Sequence, residues 1–209
     1  MFCKLTTKDM KTRDGRQWTL GEWQTASGRG LACDDGWLAA YADPLLAAFC
    51  NPSHENLTDP LVFEVETRGK FLDDYSCFAA TEMRLVRPLP SLLEIDTQRR
   101  IRFGILCAFR STMSGRWMVW AENWLSGKDR TRAEAQRVGA EVNLPWVGRE
   151  PMPRCFVPAA CWATRSVATS DPGEVKLFSS LAAGKVAAEV WCDTPRALDL
   201  LSLAKEAMS

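Results

Sequence analysis

The sequence has no excess of charge of either sign. Its 26 lysines and arginines are matched by 26 aspartates and glutamates, which gives a formal net charge of +0 at pH 7. Proteins dedicated to nucleic acid carry a basic excess that neutralises phosphates, so direct nucleic-acid binding is not favoured. A local basic cluster, formed by Arg99, Arg100 and Arg102, is expected to be the solvated face of a helix.

Long apolar runs and metal-binding motifs are missing as well. No stretch reaches the roughly 18 to 20 apolar residues that span a bilayer, and no apolar signal segment opens the sequence, so we expect a soluble, cytoplasmic protein with no membrane partner. The eight cysteines form no CxxC pair and should be reduced, buried thiols. The only histidine, His54, lies in a polar loop and is expected to decorate the surface.

The motifs of common enzymes are absent too. The glycine loop at residues 27–30 (SGRG) lacks the Lys-Ser/Thr of a phosphate-binding loop and does not match GxGxxG. The sequence contains no GxSxG, no HExxH and no set of kinase motifs. It therefore predicts no metal and no cofactor, and it favours a non-enzymatic protein while leaving an enzyme open.

Tryptophan, in contrast, is abundant, with nine residues. Trp117, Trp120 and Trp124 are three and four residues apart, a spacing that places them on one face of a helix over residues 115–125. Because tryptophan is costly to expose, most of these side chains should lie in the core, and one or two could mark an interface. Trp37 is our candidate for such an interface.

The pattern along the chain changes near Pro88-Leu89-Pro90. Before it, alternation predicts strands over residues 61–67, ended by Gly69, and 77–86, ended by the prolines, with shorter strands over 17–20 and 22–26. Asp43 and Pro44 predict the start of a short helix over 44–49. After it, helical spacing predicts helices over 95–109, 115–125, 130–142, 159–168, 171–191 and 194–208. We therefore predict an α+β fold: a β-rich module with a short helix in residues 1–90, then a bundle of five or six helices in 91–209. A core shared by the two stays open.

Two acidic pairs are the candidates for chemistry. Glu64 and Glu66 are two positions apart on the predicted strand, so they point to the same side and could act as an acid/base pair. The simpler interpretation is the exposed face of a half-buried strand. Asp73 and Asp74 could contact a cation or a basic partner, and the simpler interpretation is a solvated turn.

Two segments resemble proteins of phages and prophages. Residues 33–45 (CDDGWLAAYADPL), with the later FEVE at 63–66 and Gly69, are similar to an uncharacterised N-terminal module whose members tend to read C-x-x-G-[FW]-H, a Pro-Leu pair, and then a strand ending in Val-Glu and Gly. Residues 117–130 (WMVWAENWLSGKDR) resemble the stretch W-x-x-W-A-x-x-W-L-S-G-x-D-R of some of these proteins. Leu38 stands where the module usually has histidine. The resemblance implies a phage or mobile-element source and an α+β build, and it implies no known activity.

These observations favour a phage-type protein that binds a host protein or complex in the host cytoplasm, such as an inhibitor of a host defence system like CRISPR. The alternative is an enzyme similar to ADP-ribosyltransferases, which use NAD and an acidic pair with the spacing of Glu64 and Glu66. In that resemblance, residues 28–41 would be the region where a glycine-rich strand precedes a helix carrying Ala and Tyr. A structural protein of the particle and a homodimer also stay open.

Overall fold

The structure is a computed structural model that describes residues 2–30, 36–73, 77–110, 115–143, 159–193 and 198–209; for residues 73, 143 and 188–193 it describes the backbone alone. The chain divides into two compact units, Met1–Glu94 and Ile95–Ser209. The described residues of the first unit form an antiparallel sheet and one helix, and those of the second form six helices. The predicted α+β class is confirmed. That the two units are separate domains stays a prediction.

The first unit is built on a five-stranded sheet. Its strands are β1 (Phe2–Thr6), β2 (Gln24–Thr25), β3 (Leu38–Ala40), β4 (Leu61–Asp73) and β5 (Phe78–Pro88). The two long strands β4 and β5 pair along most of their length, β1 pairs with the other edge of β4, and β2 and β3 follow one another along the other edge of β5. All of these pairings are antiparallel.

The sheet closes on itself through one pair of backbone hydrogen bonds. Cys3 N donates to Tyr41 O at 2.9 Å, and Tyr41 N donates to Cys3 O at 2.8 Å. Since Tyr41 directly follows β3, these bonds join β1 to the end of β3 and complete the circuit β1–β4–β5–β3–β1, which we call the strand ring. The pair Cys3 and Tyr41 is its seam. In a closed sheet, alternate side chains point to the inside and the outside.

The inside of the strand ring holds the core of the first unit. A buried cluster joins Trp18 to side chains of β3, β4 and β5, namely Leu38, Ala40, Phe63, Val65, Met83 and Leu85. Helix α1 (Pro44–Cys50) starts as predicted, with an Asp43 oxygen accepting a hydrogen bond from Leu45 N at 2.8 Å and proline in the first turn.

Gly69 does not end its strand, which corrects the prediction. Its φ of +86° lies in the region that favours glycine, and the pairing with β5 shifts register between Arg68 and Phe71. Lys70 N donates to the Thr81 hydroxyl at 2.9 Å. The glycine therefore makes a β-bulge, after which β4 continues to Asp73. Strand β5 extends two residues beyond the predicted end at residue 86 and ends at Pro88, because proline is tolerated at the end of a strand.

Three expectations for residues 17–41 also need correction. Residues 17–20 make isolated bridges, Gln17 to Lys11 and Leu20 to Leu85, instead of the predicted strand. The predicted strand over 22–26 is reduced to the two residues of β2. The helix carrying Ala and Tyr that the ADP-ribosyltransferase resemblance implies is not found among the described residues of 28–41, because Leu38–Ala40 pair with β5 as a strand.

The second unit contains α2 (Thr97–Ala108), α3 (Gly115–Leu125), α4 (Arg132–Asn143), α5 (Ala159–Ala168), α6 (Pro172–Asp193) and α7 (Leu200–Met208). Helix α2 packs against α5, α6 and α7, and α4 contacts both α3 and α5. None of the helices in the described part of the chain combines the length and the apolar character that crossing a membrane requires.

The prediction that three tryptophans share one face of α3 is confirmed. Trp117, Trp120 and Trp124 are all buried, at 0%, 3% and 3% exposure. The ring of Trp117 meets Phe109 edge-on at 5.3 Å between centroids, and it lies 5.8 Å from the ring of Trp120. This tryptophan face is therefore part of the core of the second unit.

One predicted helix start and one predicted surface residue are wrong. Helix α4 begins at Arg132 because the Asp129 carboxylate binds Thr131 N and holds a turn ahead of the helix. Helix α7 begins at Leu200, where Asp199 accepts from Ser202 N at 2.9 Å; the predicted start at residues 194–195 lies outside the described residues. Arg100 is buried, with Nε donating to Ile95 O at 3.3 Å, whereas Arg99 is exposed as expected.

Candidate functional site

The outer face of β4 and β5 carries a row of three cross-strand ion pairs. Glutamate and arginine oppose each other in register, with N–O distances of 2.6, 2.5 and 2.6 Å for Glu64–Arg87, Glu66–Arg84 and Glu82–Arg68. We call these six residues the arginine ladder. Their side chains are 26% to 65% exposed, and exposed pairs of this kind contribute little to stability. The ladder is thus a surface with a fixed charge pattern.

Trp23, directly before β2, packs against the arginine ladder. The guanidinium carbons of Arg68 and Arg84 lie 3.9 and 5.0 Å from the centroid of its indole ring. Cation–π contacts at these distances hold both guanidiniums in place from a side that their glutamates do not cover. Tryptophan and arginine are the residues most enriched in the energetic centres of protein interfaces, so this group of residues is a candidate binding surface.

The structure brings Glu64 and Glu66 to the same face of β4, as the alternation predicts. Each carboxylate, however, faces its own arginine across the strand pair, at 2.6 Å to Arg87 and 2.5 Å to Arg84. Neither residue lines the pocket described below. This arrangement suits charge pairing, and nothing in it brings the two carboxylates together around a bound molecule.

The other predicted interaction residues are described only in part. Trp37 is half-buried, its indole nitrogen donates to Gly30 O at 3.2 Å, and its ring lines the pocket. Asp73 is the last residue of β4, and its side chain, like the whole of Asp74, lies outside the described residues. A role for Asp73 and Asp74 in partner binding stays a prediction.

A pocket of about 440 Å³ lies beside the seam of the strand ring. Four aromatic side chains contribute to its wall: Trp18, Trp37, Tyr41 and His54. The rings of Tyr41 and His54 are nearly parallel, with centroids 5.9 Å apart and an angle of 10°. His54 is half-buried by this contact, which corrects the expectation that it decorates the surface. The sequence gives no signal for the contact, because the two residues are brought together by the fold.

Lys4 supplies a buried positive charge to the same pocket. Lys4 belongs to β1 and is only 4% exposed. Its Nζ donates to Ala39 O at 2.7 Å, lies 3.9 Å from a Glu55 oxygen and sits 5.1 Å from the centroid of the Trp18 ring. Burial lowers the pKa of Lys4 from its ordinary value, and the nearby Glu55 only partly offsets that effect.

Both carboxylates among the described residues of the pocket accept hydrogen bonds, Asp14 from its own loop and Glu55 from a residue 42 positions away. Asp14 accepts hydrogen bonds from the Thr12 hydroxyl at 2.5 Å and from Arg16 N at 3.2 Å. Burial alone would raise the pKa of Asp14, but the hydrogen bonds from Thr12 and Arg16 leave it below its usual value. Glu55 accepts from Arg13 N at 3.4 Å. Sequence reasoning missed this cluster, because its members are separated by up to 51 residues and no motif links them.

The cysteines behave as structural residues where the structure describes them. Five of them are buried and outside any disulfide: Cys3, Cys50, Cys77, Cys107 and Cys161. Burial raises the pKa of Cys3 to about 12 and that of Cys161 to about 11, so both stay protonated thiols, which are poor nucleophiles and metal ligands. Within the described ranges, no three His, Cys, Asp or Glu side chains are gathered where they could hold a metal ion.

No protein-family model matches the chain, and no curated protein or solved structure matches it either. Conclusions about function therefore rest on the arginine ladder, on the pocket and on the motifs of the sequence itself.

Proposed function

We propose that the protein is a non-enzymatic, phage-type protein that acts by binding a host protein or complex in the host cytoplasm. The partner class that we propose is a host defence system such as CRISPR, and the protein would inhibit it by occupying one of its surfaces. The resemblance of residues 33–45 and 117–130 to phage proteins supports the source, and the partner class is proposed from that source. The arginine ladder with Trp23 supports the mode of action.

The ladder has the properties of a prepared interface. Arg68 and Arg84 are each held twice, by a glutamate and by the Trp23 ring, so a partner that docks on them removes little side-chain freedom. The three pairs are neutral in sum, which means that recognition would depend on the alternation of charge along the strands. Such a pattern fixes the register of a partner more than it adds bulk attraction.

The same geometry supports binding over the enzymatic alternative. An ADP-ribosyltransferase-like reaction would need Glu64 and Glu66 beside bound NAD, whereas both carboxylates are engaged by arginines on an exposed face and neither lines the pocket. We expect no transfer of label from labelled NAD to proteins of a host extract. Transfer that is abolished by Glu66→Gln would overturn the proposal in favour of the enzyme.

Affinity purification from a host lysate, followed by mass spectrometry, tests the proposal. The wild-type protein is compared with the double swap Glu66→Arg/Arg84→Glu, which reverses one rung while keeping an ion pair, and with Trp23→Ala. A matched control, Lys8→Gln/Asp59→Asn, removes another exposed ion pair of the same unit (2.6 Å) and keeps a residue that tolerates the positive φ at position 59.

We expect one stoichiometric host complex with the wild type and the control, and at least about a tenfold loss of that complex with the swap and with Trp23→Ala. Thermal unfolding of all variants checks that the fold is intact. An eluate in which the wild type carries no partner would refute the binding function. Equal recovery from all variants would refute the assignment to the ladder. A second copy of the chain as the occupant would appear as a dimer in light scattering that the swap disrupts.

A further inference from the structure

The proposed function makes no use of the pocket beside the seam. Its volume of about 440 Å³ lies in the lower part of the range of small-molecule sites, which runs from roughly 300 to 1,000 Å³. The mouths of closed sheets are common places for such sites. A space of this size admits a molecule with one or two rings.

Among the described residues that line the pocket, cationic side chains outnumber anionic ones by one, with His54 counted as neutral. Three cationic side chains, Lys4, Arg13 and Arg16, line it against two anionic ones, Asp14 and Glu55. A ligand with a single negative charge would balance the wall. A cationic ligand would add to the excess, and burying unbalanced charge is costly.

The ammonium group of Lys4 is only partly compensated by the described residues around it. An ammonium group has three N–H donors, and the one hydrogen bond that Lys4 Nζ makes is to Ala39 O. The Glu55 oxygen at 3.9 Å is beyond hydrogen-bond distance, and Asp14 is engaged by Thr12 and Arg16. An incoming carboxylate would therefore supply both the charge and the acceptors that a buried ammonium needs.

Aromatic rings form the rest of the recognition surface. Trp37 and Tyr41 line the pocket together with His54, whose ring is parallel to that of Tyr41. Flat ligand rings pack well against such faces. We propose that this pocket binds a small aromatic carboxylate, with its carboxylate on Lys4 Nζ and its ring against Trp37 and Tyr41.

The single histidine makes the test sharp, because the imidazole signals of His54 in an NMR spectrum come from one residue inside the pocket. The probe is 2-naphthoate, and its neutral counterpart of nearly the same shape is 2-naphthamide. Binding is measured by the shift of the His54 signals and by calorimetry. The variants are Lys4→Met, which keeps the length of the side chain without its charge, and the control Lys128→Met at an exposed position of the other unit.

We expect saturable binding of 2-naphthoate by the wild type and by Lys128→Met, with movement of the His54 signals, and binding at least about tenfold weaker for 2-naphthamide. We expect a similar loss for Lys4→Met. No movement of the His54 signals with 2-naphthoate, or equal binding of the carboxylate and the amide, would overturn the proposal. The movement of the His54 signals and the comparison of carboxylate with amide are both measured on the wild type. They therefore test the proposal even if Lys4→Met fails to fold.

A third probe separates the carboxylate from other anions. We expect 2-naphthyl phosphate, which carries up to two negative charges, to bind no more tightly than 2-naphthoate, since one charge balances the wall. Phosphate binding that is tighter by about tenfold would refute the carboxylate assignment. These outcomes are independent of the lysate experiment, so the failure of one proposal leaves the other standing.

Discussion

Raising the pH above 9 should destabilise the first unit at the seam of its strand ring. Cys3 and Tyr41, which close the ring, are 0% and 3% exposed. Burial, with a smaller contribution from the charge of Asp43, raises the pKa of Cys3 from 9.0 to about 12, and burial raises the pKa of Tyr41 well above 10.0. A group whose pKa is higher in the folded state contributes its full stability below the unfolded pKa and loses it as the pH rises toward the folded pKa.

The size of the effect follows from the two pKa values of Cys3. Their difference corresponds to about 4 kcal/mol in the free energy of unfolding, of which about 3 kcal/mol would be lost by a pH of about 11. The matching difference for Cys161, whose pKa is raised from 9.0 to about 11, predicts a loss of about 2 kcal/mol at the same pH. The two cysteines belong to different units, so their contributions should be independent.

Urea unfolding at pH values of about 8 and about 11, followed by tryptophan fluorescence, measures these losses. Between the two pH values, Cys3→Ala should lose about 3 kcal/mol less than the wild type, and Cys161→Ala about 2 kcal/mol less. Any other effect of pH that is the same in all three proteins cancels in the comparison. A decline of Cys3→Ala that runs parallel to that of the wild type would refute the reasoning.

Two further substitutions test the packing and capping of the helical unit. Gly139→Ala should destabilise it by about 1 to 3 kcal/mol in urea unfolding, because the added Cβ would lie 2.8 Å from the Thr164 hydroxyl oxygen. The control is Gly115→Ala, whose added Cβ has nothing within 4 Å. Equal effects of the two substitutions would contradict the packing argument. Asp199→Ala should cost about 1 kcal/mol near neutral pH through the lost α7 cap. Hydrogen bonds from Ser202 lower the pKa of Asp199 below 3.8. The stabilising effect of Asp199 is therefore present above pH 3.8 and fades as the pH falls through the lowered pKa. If wild type and Asp199→Ala differed in stability by the same amount in strong acid, the capping argument would be wrong.

Local signals in the sequence account for most of the helical unit. The tryptophan spacing predicts the face of α3 that the structure buries, because residues three and four positions apart lie on one side of a helix. The pair Asp43-Pro44 likewise predicts the start of α1, since capping depends on neighbouring residues alone.

The strand ring and its pocket were beyond the reach of the sequence for a physical reason. Strand β1 has buried residues in succession instead of an alternating pattern, and helix α1 contacts it. A strand that is covered on both faces loses the alternation that sequence patterns rely on. The role of Lys4 depends on Ala39 and Glu55, which are 35 and 51 positions away. Nothing in a local window distinguishes this lysine from one on the surface.

The order in which the strands follow one another has a consequence for how the first unit folds. Strand β1 is first along the chain, but its partner in the sheet, β4, begins at Leu61, and β4 in turn pairs with β5, which ends at Pro88. During synthesis, β1 therefore cannot pair with β4 until about 60 more residues have emerged. Closing a loop of this length reduces the conformational entropy of the chain before the strand contacts that offset this loss have formed. We therefore expect the strand ring to form late and slowly during folding.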